Sequence, residues 1–198
     1  MKSLITKYGA SAAVLLSVFS SAQVFAHAGH EHVAHGAGAE FSAGLMHTIT
    51  GWDHLIAMVG FGLLIAAFVG SQRVGALVMS GVALLSGLVA GSLVSGMLAS
   101  ASLFEQLVLA SVFALPVLAL VSWRQAKFQL LVLSAIVLFS ACHGVVQGIE
   151  AQMVSAGLMF NLGLLVSSML LLSLSAWIAV VLRSLSNAEA DGQKQFTN

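Results

Sequence analysis

The stretch FSAGLMHTITGWDHLIAMVGFGLL, residues 41–64, is apolar enough for a membrane helix, yet it contains two histidines and an aspartate. An ionisable side chain at membrane depth costs at least about 2.5–3.5 kcal/mol on insertion scales, so such groups need partners or a water-filled cavity. The stretch therefore predicts both a membrane helix and a functional site around His47, Asp53 and His54.

The whole chain has the composition of a membrane protein. Of its 198 residues, 59% are hydrophobic and 7% are charged, and the mean hydropathy is +1.02. Seven basic residues balance seven acidic ones, which gives no reason to expect a nucleic-acid partner. The single cysteine, Cys142, excludes an internal disulfide framework.

Residues 1–26 have the order of a secretory signal peptide, with Lys2 and Lys7 before the apolar run AAVLLSVF and small residues up to Ala26. The run is shorter than the roughly 20 residues of a membrane-spanning helix, which favours cleavage over an uncleaved first helix. Cleavage would leave residues 27–40 as a periplasmic leader. Its histidines either collect metal or belong to a solvated tail: His27, His30, His32 and His35.

Beyond residue 40, apolar segments alternate with short polar breaks, which predicts an all-α bundle of about five transmembrane helices within residues 41–183. The predicted helices are residues 41–69, 74–98, 102–122, 128–149 and 153–182. The basic residues lie in alternate breaks, which the positive-inside rule places in the cytoplasm: Arg73, Arg124, Lys127 and Arg183. The N-terminus is thus expected outside, and residues 184–198 are expected to form a cytoplasmic tail.

The second predicted helix carries small residues at steps of four. They are Ala83, Gly87, Gly91 and Ser95. Such a stripe lets two helices approach closely in lipid, so we interpret it as a packing surface.

Two polar stripes are predicted at one depth in the bundle. In a continuous first helix His47 and His54 project from one face, with Met58 one turn further along. The fourth helix has its own stripe at steps of four and three: His143, Gln147 and Glu150. Both stripes lie about 10 Å below the outer surface at 1.5 Å per residue, so we expect them to face each other.

Imidazole nitrogens together with carboxylate oxygens suit divalent first-row metals such as Ni²⁺, Co²⁺ or Zn²⁺. Asp53 would either ligate the metal or orient a histidine by accepting its second N–H. Mixed N/O ligands also allow release, which transport requires. The competing interpretation of any single histidine is an interhelical hydrogen bond, and Glu105 and Glu150 can equally cap helix ends.

The chain resembles the HupE/UreJ family of bacterial membrane proteins over the signal peptide and essentially the whole membrane region. The family's HPxxGxDH motif reads HTITGWDH from His47 to His54, and its HGxxHGxE motif reads HGVVQGIE from His143 to Glu150. Glu105 matches an acidic position at the start of the family's third helix.

Three departures from the family pattern bear on function. Thr48 stands where the family has proline, and Gln147 replaces a histidine, which removes a nitrogen ligand but keeps a polar group. In the final helix, Leu170–Leu172 stand near the place where many family members carry another histidine. A site short of two imidazoles is expected to bind metal more weakly or to prefer a different ion.

The resemblance implies a bacterial inner-membrane permease for Ni²⁺ or Co²⁺, and not an enzyme. It implies that no cofactor is tightly bound. It also implies that hydrogenase or urease maturation proteins are partners, and it leaves open whether the protein forms a homo-oligomer. Eight residues are predicted to contact the transported ion: His47, Asp53, His54, Met58, Glu105, His143, Gln147 and Glu150.

Two alternatives stay open at this point. One is an intramembrane zinc hydrolase with Glu150 as general base, which would retain stoichiometric zinc. The other is a copper permease that uses Met46, Met58 and Cys142, because soft sulfur ligands select Cu(I). The sequence has no phosphate-binding loop, so an ion gradient, the membrane potential or a partner would drive transport.

Overall fold

A computed structural model describes residues 36–94, 98–122, 128–153 and 157–196, and in these ranges the protein is all-helical, as predicted. The helices are α1 (Ala37–Thr50), α2 (Trp52–Ala66), α3 (Ser71–Val94), α4 (Leu98–Ser122), α5 (Gln129–Met153) and α6 (Leu158–Phe196). The predicted helices at 74–98, 102–122, 128–149 and 153–182 each correspond to one of these elements, with ends shifted by a few residues except at the C-terminal end of α6.

The prediction of one continuous first helix over 41–69 is wrong. The segment forms α1 and α2, which meet at Gly51 with a bend of 75°. Gly51 follows three β-branched residues in TITG, and both residue types are unfavourable in a helix interior. The bend leaves the backbone of Gly51 satisfied, since its N–H donates to His47 O at 2.9 Å and its carbonyl accepts from Leu55 N–H at 2.8 Å.

The ends of the bundle also differ from the prediction. Helix α1 begins at Ala37, inside the predicted leader, and α6 continues to Phe196 through most of the predicted tail. The tail sequence SLSNAEADGQKQF contains several good helix formers, so its polarity marks the end of the apolar part and not the end of the helix. The apolar, span-like part of α6 ends at Leu185.

The tightest helix pair is α3 with α5, and glycines allow it. A Cβ at Gly87 or Gly91 of α3 would collide with the carbonyl oxygens of Ala141 or Val145 in α5. The reverse holds for Gly144 of α5, whose Cβ would collide with the α3 backbone. The small-residue stripe of α3 is therefore a packing surface, as predicted, up to Gly91, whereas Ser95 lies outside the described residues.

Helix α6 lies along both halves of the bent pair. Gly44 of α1 and Gly163 of α6 allow close contact at one end, and Gly62 of α2 meets the backbone of α6 further along. Helix α4 completes the arrangement by packing against α2 and α5. The interior between these helices is filled by one large apolar cluster that includes Phe61, Leu64, Ile65, Leu115, Ile136 and Leu172.

The outer surface is that of a membrane protein. Helix α3 exposes an apolar face at steps of three and four, made of Val74, Val78, Val82, Leu85, Val89 and Leu93. Helices α3 and α5 and the Leu158–Leu185 part of α6 are long and apolar enough to cross a bilayer, and the bent pair α1–α2 counts as a fourth span if taken together. The prediction was about five spans; in α4 the described apolar stretch, Leu103–Leu115, is shorter than a span.

Several predictions concern residues outside the described ranges. They are the signal peptide at 1–26, the leader histidines His27, His30, His32 and His35, and the basic residues Arg124 and Lys127. The orientation with the N-terminus outside also stays a prediction.

Candidate metal centre

Helix α5 presents the polar stripe that its spacing predicts. The helix is continuous from Gln129 to Met153, so residues at steps of three and four share one face. His143 and Gln147 are buried with exposures of 0% and 1%, and the Glu150 side chain is 27% exposed. The stripe therefore runs from a partly open carboxylate into the interior of the bundle.

The bent pair supplies two imidazoles in a different way. His47 lies in the last turn of α1 and His54 in the first turn of α2, on either side of the bend at Gly51. Their ring centroids are 5.4 Å apart. The two histidines converge, as predicted, but not because they share one face of a helix. They are brought together by the 75° bend and by the packing of both helices on α6.

Glu150 of α5 contacts both histidines of the bent α1–α2 pair. Its Oε2 atom lies 3.1 Å from His47 Nε2 and 3.2 Å from His54 Nε2. One ligand atom from each of the three residues lies within 4.8 Å of the others. Ligands about 2.1 Å from one metal ion are roughly 3.0–3.4 Å apart at octahedral or tetrahedral angles, so this spacing fits a shared cation. His47 and His54 thus face the polar stripe of α5, as predicted, although the first stripe does not extend to Met58.

Asp53 lies on the other side of the His54 ring. Its Oδ2 is 3.6 Å from His54 Nδ1, which is too long for a hydrogen bond, and Nδ1 has no hydrogen-bond partner among the described residues. Asp53 also occupies the first turn of α2, where the helix dipole favours a carboxylate. A small approach of the two groups would let Asp53 accept an Nδ1–H when His54 Nε2 is engaged elsewhere.

His143 is fully buried. Its ring centroid is 6.1 Å from that of His54, and the Phe61 ring contacts it edge-on at 5.6 Å. Phe61 belongs to the large apolar cluster, so the polar stripe of α5 gives way to apolar packing just beyond His143. From the surface inward the side-chain exposures fall from 44% at Asp53 to 17% at His47 and 2% at His54.

Three other predicted site residues are not brought into this cluster. Met58 is fully buried in the large apolar cluster, because the bend at Gly51 turns α2 away from the line of α1. Glu105 is exposed on α4. Gln147 lies on the predicted face and is buried, but its Nε2 has no hydrogen-bond partner within the described ranges.

The structure adds residues that the sequence pattern did not single out. Ser111 of α4 lies with its Oγ 3.1 Å from His143 Nε2. Phe160 of α6 contacts the His47 ring edge-on, with centroids 5.7 Å apart. A lone serine or phenylalanine in an apolar helix carries no distinctive spacing, and only the tertiary packing reveals the contact.

The sulfur atoms of the copper alternative are dispersed. Cys142 packs in a small apolar cluster with Val108 and Val146, whereas Met58 belongs to the large cluster and Met46 is 52% exposed. The described residues therefore do not assemble the soft ligand set that Cu(I) prefers.

Helices suited to membrane spanning, together with a His/His/Glu cluster held by three of the six described helices, define a polytopic membrane protein with a candidate cation site. The chain belongs to the HupE/UreJ family, because the family model described as HupE / UreJ protein matches residues 14–194, nearly the whole sequence. No curated protein and no solved structure matches the chain at a significant level.

Proposed function

We propose that the protein is a permease of the bacterial inner membrane that moves Ni²⁺ or Co²⁺ inward as its transported substrate. The HupE/UreJ family is a transporter family associated with nickel and cobalt. The observation that carries the proposal for this chain is the meeting of His47, His54 and Glu150, each of which offers one ligand atom within 4.8 Å of the other two.

The charge of the site supports a divalent cation. Asp53 and Glu150 together carry two negative charges when ionised, and neutral imidazoles add nitrogen ligands without charge. Arg73 is directed elsewhere, since its guanidinium donates to Phe68 O beyond the far end of α2 at 2.8 and 3.0 Å. Two carboxylates and two imidazoles therefore match a 2+ ion in both charge and donor type.

The two histidines would play different parts. In the metal-free cluster both Nε2 atoms can donate to Glu150 Oε2, which gives these three atoms hydrogen-bond partners without a metal. A metal ion needs the Nε2 lone pairs instead, so the His54 proton would move to Nδ1, where Asp53 Oδ2 is 3.6 Å away. We assign Asp53 the role of orienting His54 from behind, with Glu150 and the two Nε2 atoms as direct ligands.

The gradient of burial supports passage of the ion into the bundle. An ion would meet Asp53 and Glu150 first, lose water at His54 and come next to His143. Beyond His143 the apolar cluster around Phe61 blocks the way, so transport would require a rearrangement of α2 against α4, α5 and α6. The membrane potential alone favours inward movement by roughly 2.3 kcal/mol per charge per 100 mV.

Uptake of radiolabelled nickel and cobalt by cells that express the wild type, Glu150→Gln or Glu40→Gln tests this proposal. Glu150→Gln keeps the shape of the side chain but removes the charge and the shared acceptor, and we expect it to lower uptake by at least the roughly 10–100-fold that loss of an outer-shell partner costs. Glu40→Gln removes a carboxylate in the first turn of α1, outside the cluster, and should leave uptake unchanged.

Two outcomes would contradict the proposal. One is full uptake by Glu150→Gln, and the other is a wild type that takes up neither ion above the level of cells without the protein. Purified wild type that retains one zinc per chain through extensive chelation would favour the hydrolase instead.

A further inference from the structure

The second imidazole environment in the bundle lies between α4 and α5. Ser111 and His143 are both fully buried, and Ser111 Oγ lies 3.1 Å from His143 Nε2. The same hydroxyl lies 2.6 Å from Val108 O, one turn back along α4. The other ring nitrogen of His143, Nδ1, is buried and has no hydrogen-bond partner in the part of the chain that the structure describes.

The proton count decides how these groups are connected. A serine hydroxyl has one proton to donate and lone pairs to accept. If Ser111 donates to Val108 O, its oxygen accepts from His143 Nε2–H, and the three groups form two hydrogen bonds. If Ser111 donates to His143 Nε2 instead, only one hydrogen bond forms and a buried Nδ1–H donor is left unpaired, which is costly.

We infer that Ser111 is a positioning residue that holds His143 in the Nε2–H tautomer, so that the Nδ1 lone pair is the atom that His143 offers to the cation. The tautomer of a histidine is set by the hydrogen bond of its other nitrogen, and such outer partners tune the basicity of the ligand atom. The statement about the tautomer rests on the geometry alone. The statement that Nδ1 meets a cation rests on the proposed function.

The placement of the ring supports this role. His143 stands next to His54 at 6.1 Å between centroids, so an ion released by the His47, His54 and Glu150 cluster would meet it next. Phe61 packs edge-on against the ring, which together with Ser111 restrains its rotation. A ring fixed by a serine on one side and a phenylalanine on another presents one nitrogen, and the fixed proton on Nε2 makes Nδ1 that nitrogen.

The first test is nitrogen NMR of ¹⁵N-histidine-labelled, metal-free protein in lipid nanodiscs at a pH where imidazoles are neutral. The His143 signals are identified by their loss in His143→Asn. We expect the wild type to show a protonated Nε2 and a bare Nδ1 at His143. Ser111→Ala should shift the proton toward Nδ1, and Ser111→Thr, which keeps the hydroxyl, should restore the wild-type pattern.

The second test is metal uptake by the same variants, with Ser140→Ala as the matched control. Ser140 also loses a buried hydroxyl on substitution, since its Oγ lies 2.7 Å from Ser80 Oγ, but that hydrogen bond joins two serines and no imidazole. We expect Ser111→Ala to lower uptake by about 10-fold or more, with recovery in Ser111→Thr and little change in Ser140→Ala. Thermal unfolding of each purified variant identifies any loss of fold.

The outcomes separate the two statements. A protonated Nδ1 at His143 in the wild type, or an unchanged spectrum in Ser111→Ala, overturns the positioning role whatever the uptake. A changed tautomer with undiminished uptake, or equal losses in Ser111→Ala and Ser140→Ala, overturns the role of Nδ1 toward the cation. A wild type without uptake refutes the proposed function and that role together, while the spectrum still decides the tautomer.

Discussion

The His47, His54 and Glu150 cluster is held by two structural elements that differ in regularity, the bent α1–α2 pair (the broken support) and the continuous helix α5 (the unbroken support). The α1–α2 pair is broken at Gly51 and contributes His47 and His54 from its two sides. Helix α5 is unbroken and contributes Glu150 from a regular stripe. The bend lets the imidazole rings of His47 and His54 approach one point, which two residues seven positions apart on a straight helix could not do. The straight helix α5 instead holds its polar side chains at fixed spacing along one face.

The two supports are also held in place differently. Helix α5 is fixed by direct backbone contact with α3 at Gly144 and Gly148, where no side chain can give way. Gly51 lies in an extended conformation, with φ −74° and ψ 104°, that other residues can adopt, and its close neighbours include a side-chain atom of His54. The comparison therefore predicts that damage to α5 is structural, whereas damage to the bend is local to the site.

The largest effect is expected from Gly144→Ala on the unbroken support. A Cβ at this position collides with Leu84 O of α3, and backbone cannot move aside as a side chain can. Overpacking typically costs about 1–3 kcal/mol and occasionally more, so we expect a marked loss of folded protein. The measurement is thermal unfolding of the purified variant, together with its yield in the membrane.

The matched control is Gly75→Ala on α3, where a Cβ meets nothing within 4 Å. Because alanine is the better helix former, this variant should be as stable as the wild type or more stable by up to about 1 kcal/mol. Equal stability of Gly144→Ala and Gly75→Ala would show that the α3–α5 contact does not fix α5.

A smaller effect, confined to the site, is expected from Gly51→Ala on the broken support. The new Cβ would lie 3.0 Å from His47 O and 3.3 Å from His54 Cδ2, so the His47 carbonyl and the His54 ring must each give way by a few tenths of an ångström. We expect the apparent KM for nickel to rise several-fold with thermal stability nearly unchanged. Unchanged KM, or unfolding as severe as in Gly144→Ala, would remove the distinction between the two supports.

The same distinction explains what the sequence could and could not predict. On α5 the spacing of His143, Gln147 and Glu150 gave the correct face, because nothing interrupts the helix. In the segment 41–69 the spacing of seven residues correctly paired His47 with His54, but the prediction assumed one continuous helix, and the bend at Gly51 is what brings the two residues together. Met58, placed by the same continuous periodicity, lies in the apolar core because the bend redirects α2.

Contacts between side chains on different helices could not be predicted from patterns within one helix. Ser111 looks like any serine in an apolar helix, and its hydrogen bond to Val108 O is the usual local one. Its contact with His143 depends on how α4 packs against α5, which periodicity within either helix does not encode. The extent of α6 was missed for a similar reason, since hydropathy locates the membrane and not the last helical residue.

The smallest effect is expected from Gln147→His, which restores the histidine of the family motif on the unbroken support. Gln147 is buried one turn from His143, and its Nε2, which has no hydrogen-bond partner among the described residues, is a donor that cannot ligate a cation. An imidazole adds a lone pair on the face that leads from Glu150 to His143, so uptake should persist, with a several-fold lower KM and a changed ratio of nickel to cobalt.

Gln147→Leu is the control for that substitution, because it removes the amide, whose Nε2 has no partner in the part of the chain that the structure describes, and adds no ligand. A buried polar group without a partner is destabilising, so this variant should unfold at the same temperature or higher, and its KM should stay near that of the wild type. If Gln147→Leu lost uptake, the amide would be contacting the ion through its oxygen. The α5 stripe would then supply three successive ligands to the ion, His143, Gln147 and Glu150. The histidines of the α1–α2 pair would contact the ion only where it enters the bundle.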